Sequence, residues 1–308
     1  MSDPRIGALP PGYRSRPATV HDIGPIQALI AACERDLHGR VETDTDGVAA
    51  DLARPGLDPT LDTLLVFGPA GDLAARAWVN RRCEADVHPE HRGLGLGGVL
   101  LAWIEARARA AGTERVVQTV PDGDAAAGAL VRSHGFEPMV TAWLLSIDMP
   151  AEPVVPAPPA GITVRAFRPG DERAAHRLVE DAFADWQQRR RSYEEWAMLT
   201  VARATFAPTV SPVALAGDEM VGAVLSLDDP ALGEGYVERV AVRRDHRHRG
   251  IARLLLRRAF HEFHRRGQRT CTLWTHSDTG ALALYERVGM TVRRSSTVHT
   301  KALGADQT

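Results

Sequence analysis

Two glycine-containing turns are the segments of this sequence best suited to hold a charged ligand. The first runs from His91 to Gly98 and the second from Arg247 to Ala252, and each follows a predicted strand and precedes a predicted helix. Backbone N–H groups at the start of a helix lack partners and lie at the positive end of the helix dipole. Glycine allows close approach, so both turns predict a site for phosphate oxygens.

The first turn also matches the dinucleotide-binding pattern G-x-G-x-x-G, which is a weak signal when it stands alone. The second turn lacks that pattern. The two turns share an arginine, a glycine three residues later and a small residue two positions further on: Arg92, Gly95 and Gly97, and Arg247, Gly250 and Ala252. This shared pattern, which comes after several predicted strands in each half, disfavours a nicotinamide or flavin dinucleotide.

The chain of 308 residues contains a diverged internal repeat. Asp22 and Asp171 are 149 residues apart, Arg92 and Arg247 are 155 apart, and Gly135 and Gly289 are 154 apart. A proline-rich segment at residues 151–160 lies between the copies and predicts an extended linker. We therefore expect one domain at residues 1–150 and a second at residues 161–308.

Each half predicts the same order of elements. A strand is followed by an amphipathic helix opened by an aspartate, further strands, the turn with its long helix, another strand, a short helix and a closing strand. The long helices place apolar residues at helical spacing: Leu96, Leu100, Trp103 and Ile104, and Leu255, Leu256, Phe260 and Phe263. The fold class predicted is α/β, with two tandem domains that each carry a mixed, mostly antiparallel sheet flanked by helices.

Composition narrows the classes of function. The 37 Lys+Arg and 39 Asp+Glu give a net charge of −2, which disfavours a bulk electrostatic grip on nucleic acid. No apolar run approaches the roughly 18 residues of a membrane span, and the N-terminus lacks a secretory signal. The cysteines, three in number and far apart, exclude a disulfide framework and a Cys-only zinc site. We expect no metal and a cytoplasmic location.

In combination, these motifs resemble those of a tandem member of the GNAT superfamily of N-acetyltransferases. That family's signature is a hydrophobic strand followed by [Gln/Arg]-x-x-Gly-x-[Gly/Ala] at the start of a helix. The segment Asp278–Met290 resembles its Asn-x-x-Ala-x-x-Leu-Tyr-x-x-x-Gly-Phe segment, with Asp278 and Met290 as departures. The resemblance covers residues 12–148 and 161–303. The two-domain arrangement also resembles that of the mycothiol synthase subfamily, from which only the architecture is taken.

The resemblance implies acetyl-CoA as the cofactor. Turn amides would hold its pyrophosphate at Arg92, Gly93, Leu94, Gly95, Leu96 and Gly97, and at Arg247, His248, Arg249, Gly250, Ile251, Ala252 and Arg253. Free strand edges would pair with the pantetheine arm at Ala85 and Val87, and at Val240, Ala241 and Val242. The arginines outside the signature fit either a polyanionic ligand or a solvated helix start. No aromatic residues interleave with them, which disfavours nucleic acid.

The resemblance also implies catalytic roles in the second half. Tyr285 occupies the position of the family's general acid, and Glu238 lies on the strand where a base acting through water is often found. A glutamate on the polar face of a strand is equally compatible with no function. The aligned residues of the first half are Val131 and Cys83. We therefore expect the C-terminal half to perform the chemistry, with the first half structural or cofactor-holding; the alternative is a first half that works without a tyrosine.

Candidate acceptor-binding residues lie in and after the first predicted helix of the second half. Four residues lie where the family builds its acceptor pocket or, alternatively, pack in the core: Trp186, Tyr193, Glu194 and Trp196. The expected activity is N-acetylation of a small-molecule primary amine. The alternatives are acetylation of a protein or peptide amine and a catalytically silent acyl-CoA sensor. We expect a monomer or a homodimer, with no nucleic-acid or membrane partner.

Overall fold

The computed structural model describes residues 8–41, 43–54, 56–80, 82–184, 189–229 and 233–304. Over these ranges the chain is a mixed α/β protein with helices packed on largely antiparallel sheets, which confirms the predicted fold class. It divides into two compact units, residues 1–141 with 296–308, and residues 142–295.

The first half of the chain begins with a four-stranded antiparallel sheet in the order β1-β2-β3-β4. The strands of this half are β1 (Arg14–Arg16), β2 (Thr63–Phe67), β3 (Leu73–Trp78), β4 (Glu84–Val87), β5 (Arg115–Pro121) and β6 (Glu137–Asp148). The helices are α1 (Ile23–His38), α2 (Thr45–Leu52), α3 (Pro59–Asp62), α4 (Leu96–Ala110) and α5 (Ala125–Ser133).

The second half repeats this order. Its strands are β7 (Thr163–Ala166), β8 (Pro212–Ala216), β9 (Glu219–Asp229), β10 (Glu234–Val242), β11 (Thr270–His276) and β12 (Thr291–Ala302). Its helices are α6 (Glu172–Ala182), α7 (Tyr193–Leu199), α8 (Ile251–Arg265) and α9 (Leu282–Arg287). Strands β7 to β10 pair antiparallel in sequence order, and β11 pairs with β10 in parallel.

The two compact units exchange their closing strands. The second part of β6, Ala142–Asp148, pairs antiparallel with β11, whereas the end of β12, Ser296–Ala302, pairs antiparallel with β5. The linker predicted at residues 151–160 separates the two copies of the repeat, and it lies outside helices and strands. The compact units instead take their last strands from opposite halves of the chain.

The same ion pair joins the first strand to the first helix in both halves. Arg16 donates to both carboxylate oxygens of Asp22 at 2.7 Å, and Arg165 donates to both oxygens of Asp171 at 2.6 and 2.8 Å. Paired contacts of this kind are short and directional. They give a physical reason for one part of the sequence repeat, because each aspartate fixes the entry to its helix.

The long helices α4 and α8 pack as their apolar spacing predicts. All eight predicted positions are buried, and both helices also bury their first residues, Leu96 and Ile251, which are each 1% exposed. An apolar anchor directly after the glycine turn fixes where each helix begins. The turn amides are therefore held at the end of a packed helix rather than in a free loop.

Candidate active site

A cavity of about 690 Å³ lies in the second compact unit. Its wall is formed by β10, the turn that precedes α8, the first residues of α8, the end of β11 and helix α9. It brings together most of the predicted site residues of this half: Glu238, Val240, Ala241, Val242, Arg247, His248, Gly250, Ile251, Ala252, Arg253 and Tyr285. Arg249 is absent from the lining, and its guanidinium donates to the Ala160 carbonyl at 3.2 Å.

Strands β10 and β11 separate within this cavity. They are in parallel register only at Gly235 with Cys271 and at Tyr236 with Thr272. Beyond that point β10 remains paired with β9 as far as Val242. Residues 237–242 have no register partner in β11, so an extended ligand can pair there as an added strand, although the carbonyls of Glu238 and Val242 already accept from Arg239 and Arg247.

The turn at Gly250 has the properties of an anion site. Gly250 is in the left-handed region at φ 80°, no side chain caps helix α8, and no atom lies within 4 Å of the position a Cβ would take. The first N–H groups of the helix therefore face accessible space with the favourable end of the helix dipole. This arrangement suits phosphate oxygens.

The side chain of Arg247 points back to the protein. It donates to the Val242 carbonyl at 3.2 Å and to the Ala182 carbonyl at 3.1 Å, which ties the turn to the end of β10 and to the end of α6. In the first half, Arg92 donates to the Asp36 carboxylate of α1 at 2.6 Å. In both halves the signature arginine thus fixes the turn to the first helix.

Glu238 lies at an irregularity of β10. The register with β9 shifts between Val237 and Arg239, so Glu238 is the extra residue of a β-bulge. Bulges redirect side chains out of the regular alternation. The carboxylate is 14% exposed, and its Oε1 accepts from Arg239 Nη1 at 2.9 Å. Sequence reasoning missed both the bulge and Arg239, because no glycine or proline stands at residues 237–239 to mark the irregularity.

Tyr285 lies on α9 and is almost fully buried, with its ring in the core of the second unit. Burial raises the pKa of its phenol to about 12, while the positive charge of Arg239 acts in the opposite direction. A phenol with this pKa is protonated at neutral pH and can donate a proton into the cavity. The geometry places Tyr285, Glu238 and Arg239 in one cavity wall.

The predicted acceptor residues are largely packing residues in the ranges described. Trp196 is fully buried in the core beside Val179 and Leu178, and Arg173 lies over the Tyr193 ring at 4.4 Å. Neither aromatic residue lines the cavity, nor does Glu194, and Trp186 lies outside the described residues.

Trp274, which is 41% exposed, and His276 also line the cavity, although the sequence motifs did not connect them with the site. Both lie in the second part of β11, where Leu273 and Thr275 are buried and alternate with Trp274 and His276; Thr272, on the same face as Trp274, is buried. That alternation is the sequence signal from which their exposure on the other face of the strand could have been found.

The first half has the same separation of strands with different side chains. Cys83 forms an isolated parallel bridge with Gln118, after which β4 pairs only with β3. Ala85 and Val87 thus lie on a strand edge as predicted, but the Val87 carbonyl already accepts from the Cys33 thiol at 3.4 Å.

The first glycine turn is open at one end and filled at the other. Gly93 and Gly95 adopt φ values of 77° and 81°, with no atom within 4 Å of either Cβ position, and Leu94 is exposed. A Cβ on Gly97 would lie 2.7 Å from Leu130 Cδ2, whereas Ala252 and Leu284 occupy the matching positions in the second half and line its cavity.

The described ranges contain neither a membrane-spanning helix nor a cluster of metal-ligating side chains. No helix there combines the length and apolar character required to cross a membrane. No three His, Cys, Asp or Glu side chains among these residues come together as a possible metal site.

Comparison with known proteins agrees with this geometry. Residues 83–136 and 172–290 match the acetyltransferase (GNAT) family. A mycothiol acetyltransferase from Tsukamurella paurometabola is 30% identical over 288 residues, which cover 88% of this chain and 93% of that protein.

Solved structures share the fold over almost the whole chain. A GCN5-related N-acetyltransferase from Sphaerobacter thermophilus has a TM-score of 0.83 at 32% identity and covers 97% of this chain and 98% of its own. A tandem GNAT protein from the clavulanic acid biosynthesis pathway has the same fold, with a TM-score of 0.72 at 18% identity, over 96% of this chain and 100% of its own. The chain therefore belongs to the acetyltransferase (GNAT) family and is an acyltransferase with tandem GNAT domains.

Proposed function

We propose that this protein transfers the acetyl group of acetyl-CoA to the primary amine of a small molecule, and that the reaction takes place in the C-terminal half. One observation carries the proposal. A single cavity combines the open edge of β10, the uncapped turn at Gly250, the Glu238 carboxylate and the protonated phenol of Tyr285. A mycothiol acetyltransferase among the relatives favours a small-molecule acceptor.

The residues of the cavity fit acetyl-CoA. Backbone groups of residues 240–242 can pair with the amides of a pantetheine arm, and the amides of residues 248–252 can hold a pyrophosphate at the helix terminus. Arg247 supports that binding indirectly by fixing the turn to Val242 and Ala182. When bound, acetyl-CoA would supply an activated thioester.

Two proton transfers remain for the protein. An amine is charged at neutral pH and must lose a proton before it becomes a nucleophile, and Glu238 can accept that proton directly or through a water molecule. The departing thiolate needs a proton, which Tyr285 can donate from its hydroxyl oxygen. Because Tyr285 is buried, its phenol stays protonated at neutral pH until the thiolate departs.

The test follows release of free thiol from acetyl-CoA with a colorimetric reagent, across a panel of amino sugars, amino acids, cysteinyl conjugates and short peptides. The proposal expects turnover with a small amine, together with a rise in melting temperature on addition of acetyl-CoA. Turnover with peptides alone would instead identify a peptide acetyltransferase. A rise in melting temperature with no turnover on any amine would identify an acyl-CoA sensor.

A further inference from the structure

The contact between Glu238 and Arg239 requires the β-bulge. In a regular strand, adjacent side chains point to opposite faces of the sheet. Here Arg239 Nη1 lies 2.9 Å from Glu238 Oε1 and 2.8 Å from the Glu238 carbonyl oxygen. One guanidinium nitrogen therefore holds both the side chain and the backbone of the residue that the bulge displaces.

The surroundings of Arg239 separate it from ordinary surface arginines. It lines the cavity, its side chain is 28% exposed, and its charge acts on the phenol of Tyr285, which lines the same cavity. A carboxylate that is only 14% exposed would be costly without a partner, because burial of an unpaired charge is unfavourable. Arg239 offsets that cost by pairing with the carboxylate in the cavity.

The first half shows the same frame without this pair. The ladder between β3 and β4 is regular from Glu84 to Val87. Glu84, at the position that matches Arg239, accepts from Arg76 Nη2 at 3.0 Å, and Cys83 stands where the second half has Glu238. The bulge, the acid and the cation are thus found together beside the tyrosine.

We propose that Arg239 is a positioning residue, which fixes the Glu238 carboxylate where it lines the cavity. The inference rests on the proposed function, since it assigns Arg239 a role in the same acetyl transfer. Arg239 acts through Glu238, and no contact between Arg239 and substrate is required.

The first test is kinetic and uses the full chain. Arg239→Gln should lower kcat by about 10- to 100-fold, with little change in the KM for acetyl-CoA. The expected loss is smaller than the rate enhancement that a positioned base provides, because Glu238 itself remains. Arg239→Lys should recover most of the loss, because it keeps the charge. The double variant Arg239→Gln/Glu238→Gln should be no slower than Glu238→Gln alone, since the cation acts through the carboxylate.

The matched control is Arg293→Gln. Arg293 of β12 pairs at 2.9 Å with Glu234, which lies on the same strand β10 as Glu238, and neither residue lines the cavity. This variant should keep the kcat of the wild type. An equal loss in Arg293→Gln and Arg239→Gln would overturn the inference, because any disturbed Arg–Glu pair of the strand would then explain it.

The second test needs no activity. In the ligand-free protein, Arg239→Gln should lower the melting temperature, and adding Glu238→Gln should restore part of it, because the uncharged side chain no longer needs a cation. Additive melting shifts, an unchanged kcat in Arg239→Gln, or a loss confined to the KM for acetyl-CoA would each overturn the inference. Failure of the proposed function would give a different result, because the wild type would then turn over no amine. The melting temperatures of the single and double variants would still report on the contact between Glu238 and Arg239.

Discussion

The two halves of the chain share a backbone frame and differ in the side chains that it presents. Each half has the Arg–Asp pair at its first helix, a strand that leaves its parallel neighbour, and a left-handed glycine that starts a long helix. The strand separation and the left-handed glycine depend on backbone geometry, and the Arg–Asp pair is kept as the same two side chains in both halves. The frame alone therefore does not show which half reacts.

The difference between the halves lies in a few positions around the strand separation. The second half has Glu238 in a bulge and Tyr285 in the cavity wall. The first half has Cys83 and the buried Val131, neither of which can replace them as an acid–base pair, because burial raises the pKa of the Cys83 thiol. The comparison shows that the frame of the first half is retained without counterparts of Glu238 and Tyr285, the groups to which we assign proton transfer.

Among the variants that leave the cofactor site intact, removal of the Tyr285 hydroxyl should lower turnover the most. Tyr285→Phe keeps the packing of the ring and removes the proton donor, so turnover should fall by about 10²–10⁴-fold, with little change in acetyl-CoA affinity. Steady-state kinetics and thermal shift with acetyl-CoA measure the two quantities. Tyr236→Phe is the control, because Tyr236 lies on β10 but does not line the cavity. A Tyr285→Phe variant with wild-type turnover would remove the chemical distinction between the halves.

The shared Arg–Asp pairs predict a smaller, acid-dependent effect on stability. Hydrogen bonds from Arg16 lower the pKa of Asp22 to about 2, and those from Arg165 lower the pKa of Asp171. A depressed carboxylate stabilises the fold above its unfolded pKa of about 4, and this contribution is lost as the pH falls towards the folded value. Asp22→Asn should therefore lower the free energy of unfolding by about 1 kcal/mol near neutral pH, with the solvent around Arg16 limiting the effect.

Urea denaturation at a series of pH values measures this difference for Asp22→Asn and for Asp171→Asn. Both variants should approach the wild type as the pH falls below about 4, because the unfolded-state carboxylates then take up protons, and the difference is lost once the folded carboxylates are protonated as well. A deficit that stays constant from neutral to acid pH would show that the pairs contribute through packing rather than charge.

The smallest predicted effect concerns the turns themselves. His248, at φ 61°, is the one non-glycine residue with a positive φ among those described, and Gly93 occupies the matching position at φ 77°. His248→Gly should raise the free energy of unfolding by about 0.5 kcal/mol, as the strain of a side chain in this region exceeds the entropy cost of glycine. Gly93→Ala should lower it, although nothing lies within 4 Å of the Cβ position. Denaturation that gives the opposite signs would contradict this account of the turns.

Much of the fold could be predicted because its signals are local. The spacing of Leu96 and Leu100 or of Phe260 and Phe263 identifies the long helices, and the glycine turns identify where they begin. The repeat of Asp22 at Asp171 shows that one fold occurs twice. Tyr285 and Glu238 could be selected because the family pattern fixes their place relative to the second turn, and the structure brings both to one cavity.

What could not be predicted depends on register and on contacts between distant segments. The exchange of β6 and β12 between the compact units is decided by which strand edges meet, a choice that local pattern does not record. The bulge at Glu238 has no marker residue, so the role of Arg239 was invisible. Similarly, Leu130 closes the space above Gly97 through a tertiary contact, and the first turn alone looked fully open.

The central claim is that the C-terminal half carries the reaction, and a matched pair of turn variants tests it most directly. Gly95→Asp and Gly250→Asp place the same bulk and negative charge at equivalent left-handed positions, with φ values of 81° and 80°. Turnover of acetyl-CoA with the accepted amine is measured for each variant after circular dichroism has established that both are folded. We predict that Gly250→Asp abolishes turnover, because the added charge repels a pyrophosphate, whereas Gly95→Asp keeps most of it. Loss of turnover in Gly95→Asp with activity retained in Gly250→Asp would contradict the account.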